Sequence, residues 1–315
     1  MRMECPGTPT RRPYITTVGL VAVLATVAAP VEAQDSTGVA VPAAPGARWG
    51  SEFVIPLAST MVPGLGQYID GAYLAGAAYT GAFVAGVALG PEIANGDVDT
   101  GDPWPRAARD QAGYQVVHSA FTAQLLSGWD AFQRAVPALQ RDGKYDFLTT
   151  RENVGDLLTA PFDMEFLGRP TTWAYLAYTG VVTGIVLAHR ESGTEYEPFR
   201  PHDAGFAGAL SYNAGVGEEA LFRGWLLPML HQKTGQRFWL ANGIQASLFG
   251  RAHGANGTLF HVLSGLYKGW VTQRNDWSIR ESIFHHFWYD VAVVTATLLV
   301  DERAAVQLTF PAIRF

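Results

Sequence analysis

Cysteine and charged residues are both scarce in this chain. Of 315 residues only one is cysteine, Cys5, and it lies in an N-terminal segment that we expect to be removed. Such a chain has no disulfide framework, no thiolate zinc site and no cysteine nucleophile. The net charge of -6 offers no basic footprint for nucleic acid. Charged residues make up 16% and hydrophobic residues 48%, which favours a membrane protein.

The N-terminus has the three parts of an export signal. Arg11 and Arg12 precede an apolar run at about 15–29, and a small-residue Val-Glu-Ala sequence follows. We predict a signal peptide over residues 1–33, with an uncleaved first anchor as the alternative. Residues 34–50, rich in Ala, Pro, Gly and Val, are predicted to be a linker.

Long uncharged runs predict an all-α fold, a polytopic transmembrane helix bundle. The runs at 71–90 and 171–189 are each long enough to span a bilayer. The N-terminal membrane region is predicted over 51–168, with two crossings within 53–90. A segment at 114–133 is either a third crossing or an interfacial amphipathic helix, because it carries several polar residues.

Charge is distributed unevenly between these segments. Acidic residues concentrate over 91–113, whereas basic residues cluster over 134–151. The positive-inside bias predicts a cytoplasmic basic cluster and an external acidic loop. Together with the export signal, this indicates an integral protein of the bacterial cytoplasmic (inner) membrane.

Two adjacent carboxylates, Glu218 and Glu219, lie in an otherwise apolar run. Ionised groups in such surroundings are costly to desolvate unless they are paired. Glu219 and Arg223 are at i and i+4 on a helix and can form an ion pair. Glu218 lies about 100° round the helix from Glu219 and has no local partner. It is therefore a functional candidate whose partner must come from elsewhere.

Two later helices offer partners for Glu218. Phe249 and His253 are at i and i+4 in one of them, and His286 and Asp290 have the same spacing in another. A lone histidine on an apolar helix is more often a hydrogen-bonded core residue than a catalytic one. Three such helices in order favour a common site.

This ordered set resembles the CPBP family of intramembrane proteases, also called Abi proteins, which include the CAAX prenyl endopeptidases. Their pattern is E-E-x-x-x-R, F-x-x-x-H and H-x-x-x-N or D on successive transmembrane helices. The resemblance covers about residues 170–300. It implies an intramembrane protease core over 169–302, followed by a tail over 303–315.

The resemblance also implies a role for each motif residue. Glu218 and His253 would activate the attacking water, while His286 would hold and polarise the scissile carbonyl with Asp290. An ionised Asp accepts hydrogen bonds but cannot donate them, so Asp290, in place of the commoner Asn, is expected to orient His286 through its other ring nitrogen. The supporting residues would be Glu219, Arg223 and Phe249.

A zinc ion is the competing explanation for these residues. Glu218, His253 and His286 could supply three ligands and leave one position for water. The sequence has no H-E-x-x-H, and the three candidate ligands lie on separate helices, which favours hydrolysis without a metal cofactor.

The expected substrate is a membrane-associated protein or peptide, within or at the lipid bilayer. Nothing in the sequence indicates that its C-terminus is prenylated. The alternative function is a catalytically inactive membrane scaffold or immunity-type protein, in which buried ion pairs only fix helix register. His261 is predicted to be packing or hydrogen-bonded core, and Ser278 and Glu281 are predicted to form a capping box for the last helix.

Overall fold

The computed structural model describes residues 50–94, 107–188, 199–254 and 258–300, and these ranges contain helices and turns but no strand. The all-α helix-bundle prediction is confirmed. The predicted signal peptide, the tail over 303–315 and almost all of the predicted linker lie outside the described residues.

Two short helices and two long ones form the N-terminal region. They are α1 (Val54–Met61), α2 (Leu65–Ile69), α3 (Tyr73–Ile93) and α4 (Ala108–Arg141). At 1.5 Å per residue, α1 with 8 residues and α2 with 5 are too short to cross a bilayer. The prediction of two crossings within 53–90 is therefore wrong: α1 ends at Met61, and Gly64, with a φ of 94°, turns the chain into α2.

The C-terminal region adds shorter elements and five long helices. They are α5 (Val154–Thr159), 3-10 turns at Ala160–Phe162 and Met164–Gly168, α6 (Pro170–Ala188), α7 (Pro201–Glu219), a π-helical segment (Ala220–Leu226), α8 (Leu227–Lys233), α9 (Phe238–Ala252), α10 (Thr258–Arg274) and α11 (Arg280–Val300).

In the described ranges, three helices are long and apolar enough to cross a membrane: α3, α6 and α11. Only 22% of the apolar window of α3 and of α6 is buried, against 72% for α11. The outer helices expose large apolar side chains such as Leu74, Val84, Trp173 and Val181. Such continuous apolar surface suits contact with lipid. The chain is a membrane protein with α11 enclosed in its bundle.

The long helix α4 is a central element of the bundle. It packs against α1, α3 and α7. The choice between a third crossing and an interfacial helix at 114–133 stays a prediction. Its polar residues bond to α7, because Gln111 Nε2 donates to Asp203 at 2.7 Å and Gln115 Nε2 donates to the Phe206 carbonyl at 3.0 Å. Buried polar side chains that pair between helices are a common means of joining them in membranes.

The basic residues collect on one side of the bundle. Glu52 contacts both Lys144, just after α4, and Lys233, at the end of α8. The Phe147 ring lies 4.6 Å from that of Trp277, which joins α10 to α11. Arg169, just before α6, lies 2.7 Å from Glu281 at the start of α11. The ends of α4, α8 and α10 and the starts of α6 and α11 therefore share this side, which we call the basic side. Its basic residues are Arg141, Lys144, Arg151, Arg169, Lys233, Arg237, Arg274 and Arg280.

The π-helical segment after Glu219 packs closely on α4. A Cβ atom added to Gly224 would lie 2.5 Å from two ring atoms of Trp129, which is only 1% exposed. We expect Gly224→Ala to lower the free energy of unfolding by about 1–3 kcal/mol, because this ring cannot move aside. Thermal unfolding of the reconstituted protein measures the effect.

The matched control is Gly243→Ala on α9. A Cβ atom at Gly243 meets no heavy atom within 4 Å, so the change should be neutral or stabilising through helix propensity. Equal melting temperatures for the two variants would contradict the close packing of Gly224 on Trp129.

Candidate functional site

The three motif helices converge on one buried cluster. Each side chain is at most 5% exposed, so the site is enclosed. The structure brings together every residue that the sequence analysis singled out. They are Glu218 and Glu219 at the end of α7, Arg223 in the π-helical segment, Phe249 on α9 and His253 at its end, and His286 and Asp290 on α11.

Two imidazoles face the Glu218 carboxylate. The Oε2 atom of Glu218 lies 3.4 Å from His253 Nε2 and 3.8 Å from His286 Nε2. These separations are long for direct hydrogen bonds, and Glu218 Oε2 accepts none of good geometry from the described residues. A buried carboxylate oxygen flanked in this way suits a bridging water molecule.

The tautomer of His253 can be assigned from its backbone contact. His253 Nδ1 lies 2.7 Å from the carbonyl oxygen of Phe249. A carbonyl oxygen only accepts, so Nδ1 carries a proton, and the neutral ring presents the lone pair of Nε2 to Glu218. Two acceptors then face each other across 3.4 Å. A proton donor placed near both atoms, such as water, could bond to each.

His286 is held by carboxylates at both ring nitrogens. Its Nδ1 lies 2.6 Å from Glu219 Oε1, and its Nε2 lies 3.3 Å from Asp290 Oδ2. The expectation that Asp290 takes the nitrogen opposite the reacting one is wrong, since Asp290 shares Nε2 with Glu218. The i to i+4 spacing correctly indicated a contact, but sequence could not specify which ring nitrogen Glu219 would occupy from another helix. Glu219 is the group that orients this imidazole.

One oxygen of Glu219 gathers three partners. Its Oε1 lies 2.9 Å from Arg223 Nη1 and 2.5 Å from Lys268 Nζ, in addition to His286 Nδ1. The sequence analysis gave Lys268 no function. The available signal was an ammonium group on an apolar helix, which is costly to bury without a partner. This ammonium is 1% exposed and its ion pair with Glu219 accounts for it.

The Phe249 ring contacts both cations of the Glu219 cluster and the His253 ring. Its ring centroid lies 4.3 Å from the Arg223 guanidinium carbon, 4.8 Å from Lys268 Nζ and 4.4 Å from the His253 ring. Cations over an aromatic face are attracted by its quadrupole. The aromatic residue of the second motif therefore holds both cations of the Glu219 cluster beside His253.

His261 packs directly on the candidate catalytic histidine. Its ring is stacked on that of His253 with centroids 4.1 Å apart and planes 15° apart. It is 4% exposed. His261 was predicted to be packing or hydrogen-bonded core, and the stack agrees with packing. The ring forms one wall of the pocket around His253.

The start of α11 is anchored from distant parts of the chain. Ser278 Oγ donates to Glu152 at 2.5 Å, and the Ile279 amide donates to the same carboxylate at 3.2 Å. Glu281 instead accepts from Asn275 Nδ2 at 2.6 Å, so the predicted capping box is wrong. Burial raises the pKa of Glu152 above its ordinary value, which its hydrogen bonds to Ser278 and Ile279 oppose. This anchor fixes the helix that carries His286.

Glu218, His253 and His286 are the candidate zinc ligands. Across the part of the chain that the structure describes, no group of three or more His, Cys, Asp or Glu side chains has an arrangement that could hold a metal ion. Hydrolysis by protein groups and water, without a metal cofactor, stays a prediction.

Comparison with known families matches the part of the chain that contains the cluster. Residues 201–292 match the family model described as type II CAAX prenyl endopeptidase Rce1-like. This range runs from α7 into α11 and contains all of the candidate site residues. The resemblance to the CPBP proteases is confirmed. No curated protein and no solved structure shows significant similarity to the chain.

Proposed function

We propose that this membrane protein is an intramembrane endopeptidase, because residues 201–292 match the Rce1-like family model. It hydrolyses a peptide bond of a membrane-associated protein or peptide. The observation that supports this most is the Glu218 carboxylate facing His253 at 3.4 Å and His286 at 3.8 Å in a buried site. The proposed location is the bacterial cytoplasmic membrane.

The attacking water binds between Glu218 and His253. One of its hydrogens is directed to Glu218 and the other to the lone pair of His253 Nε2. Glu218 takes a proton as the water oxygen attacks the carbonyl carbon, so general-base catalysis forms the tetrahedral intermediate. The Nδ1 bond of His253 to the Phe249 carbonyl, 2.7 Å long, holds the ring in this orientation.

His286 stabilises the oxyanion of that intermediate. Its Nδ1 proton bonds to Glu219, so a proton on Nε2 requires the imidazolium form. Three carboxylates lie around this ring, at 2.6 Å (Glu219), 3.3 Å (Asp290) and 3.8 Å (Glu218), and they favour that cation. Nε2 then donates to the oxyanion. Glu218 returns its proton to the leaving amine, and the C–N bond breaks to give a carboxylic acid and an amine.

The first experiment tests whether the protein hydrolyses peptide bonds. The full chain is reconstituted in nanodiscs with membrane proteins from cells that lack it, in water enriched in oxygen-18. Mass spectrometry should find new C-termini that carry the heavy oxygen, because the proposed nucleophile is water. A farnesylated peptide and its unmodified twin determine whether prenylation is required. Absence of new termini in every arm would favour the inactive scaffold.

Chelation tests the choice between water activation by protein groups and by a metal. We expect the rate of cleavage to be unchanged within about twofold after treatment with 1,10-phenanthroline, since each proposed step uses side chains alone. A soluble zinc protease assayed in parallel is the control for chelator activity. Loss of cleavage that added zinc restores would instead assign Glu218, His253 and His286 as metal ligands.

A further inference from the structure

A second pocket opens away from the catalytic cluster. It has a volume of about 690 Å³, and no member of the cluster lines it. Three arginines and three aromatic residues contribute to its walls: Arg169, Arg274, Arg280, Phe166, Tyr267 and Trp270. The pocket therefore combines cationic groups with aromatic surface and is large enough for a small polar head group.

The pocket lies at one end of the membrane-length helices. Its lining includes residues from the starts of α6 and α11, which are both long enough to span a bilayer, and from the end of α10. It therefore opens at the water interface on the basic side. Arginine, tryptophan and tyrosine are the residues that anchor proteins at this depth. The neighbouring face of α6 exposes Trp173 and Val181, which offers apolar surface to acyl chains.

The three arginines differ in how they are neutralised. Arg169 Nη1 lies 2.7 Å from Glu281, and its Nη2 lies 3.5 Å from Glu165. Arg280 forms an ion pair with Asp163. In the described ranges Arg274 makes no ion pair; its guanidinium carbon lies 5.6 Å from the Trp270 ring.

The acidic groups of the pocket do not neutralise this cation. Glu165 and Asp276 both line the pocket, but Glu165 already lies beside Arg169. Among the described residues no ion pair joins Asp276 to Arg274. Arg274 can therefore bind an anion from outside the protein. Because Arg274 lies at the membrane–water interface, that anion is one found at the interface.

We propose that this pocket binds the phosphate of an anionic phospholipid head group from the leaflet on the basic side. Arg274 contacts the phosphate, Trp270 and Tyr267 pack against the glycerol region, and the acyl chains follow the exposed face of α6. The proposal does not depend on the proposed protease activity. It requires only that the bundle sits in a bilayer with its basic side at the head groups of an anionic leaflet.

The test uses the full chain in nanodiscs of phosphatidylcholine with increasing phosphatidylglycerol. We expect phosphatidylglycerol to raise the melting temperature and Arg274→Gln to weaken its apparent affinity about fivefold. The matched control is Arg237→Gln, an exposed arginine on the same side that does not line the pocket. It should leave the titration unchanged.

Quenching of tryptophan fluorescence by brominated phosphatidylglycerol locates the lipid. Trp270→Phe should remove the part of the quenching that comes from the pocket. Arg274→Gln should reduce the same part. Equal weakening by Arg237→Gln would overturn the proposal in favour of diffuse surface attraction. The proposal would also be overturned if millimolar inorganic phosphate produced the full rise in melting temperature in nanodiscs of phosphatidylcholine alone. The ligand would then be the free anion.

Discussion

Glu218→Gln should lower the rate of peptide-bond cleavage by about 100- to 10,000-fold while leaving the protein folded. A glutamine has the same shape as the carboxylate, but it cannot take a proton from water, and general-base catalysis contributes roughly 100- to 10,000-fold in enzymes. The Glu218 carboxylate also makes no well-formed hydrogen bond through Oε2 to the described residues. Little folding energy should therefore depend on it. The oxygen-18 assay and thermal unfolding measure the two effects separately.

The matched control for this variant is Glu92→Gln, an exposed carboxylate near the end of α3. It should change neither the rate nor the melting temperature. If Glu218→Gln retained more than a tenth of the wild-type rate, another group would have to be the base. If the wild-type protein showed no cleavage and Glu218→Gln unfolded it, Glu218 would be a structural charge, as the scaffold hypothesis requires.

The pairs within each motif were predictable from sequence because helical spacing is a local property, whereas a single catalytic site for all three motifs was implied by the family resemblance. The i to i+4 relation brought Glu219 to Arg223, at 2.9 Å, and His286 to Asp290, at 3.3 Å. Lys268 had no motif neighbour. Its contact with Glu219 depends on how α10 packs against the π-helical segment, and no local pattern encodes that packing.

The membrane segments show the same contrast between features set by local sequence and features set by packing with distant helices. The apolar run of α6 predicted its own ends closely, at Pro170–Ala188 against 171–189. The run before α3 did not, since its composition is apolar although Gly64 divides it into short helices. The polar residues of α4, read alone, left both a third crossing and an interfacial helix open. They are buried because α7 supplies partners such as Asp203, 92 residues away in sequence.

The neighbouring carboxylate, Glu219, should behave in the opposite way to Glu218. Glu219→Ala leaves the fully buried Arg223 and the 1% exposed Lys268 without their shared counter-ion. Breaking a buried ion pair by removing one partner costs about 3–5 kcal/mol, because the remaining charge is not solvated. We therefore expect a large loss of stability in thermal or denaturant unfolding. The exposed carboxylate of Glu165, 3.5 Å from Arg169, serves as the comparison, and its change to Ala should cost less than about 1 kcal/mol.

A double-mutant cycle separates this ion pair from general damage to the core. Lys268→Met removes the ammonium but keeps an unbranched apolar chain over the Phe249 ring. If Glu219 and Lys268 stabilise each other, the combined variant Glu219→Gln with Lys268→Met should lose less stability than the two single changes together, by about 0.5–3 kcal/mol. Strict additivity would mean that the 2.5 Å contact contributes nothing. A positive coupling would identify Lys268, on a helix that carries none of the three motifs, as a residue that holds Glu219 against His286.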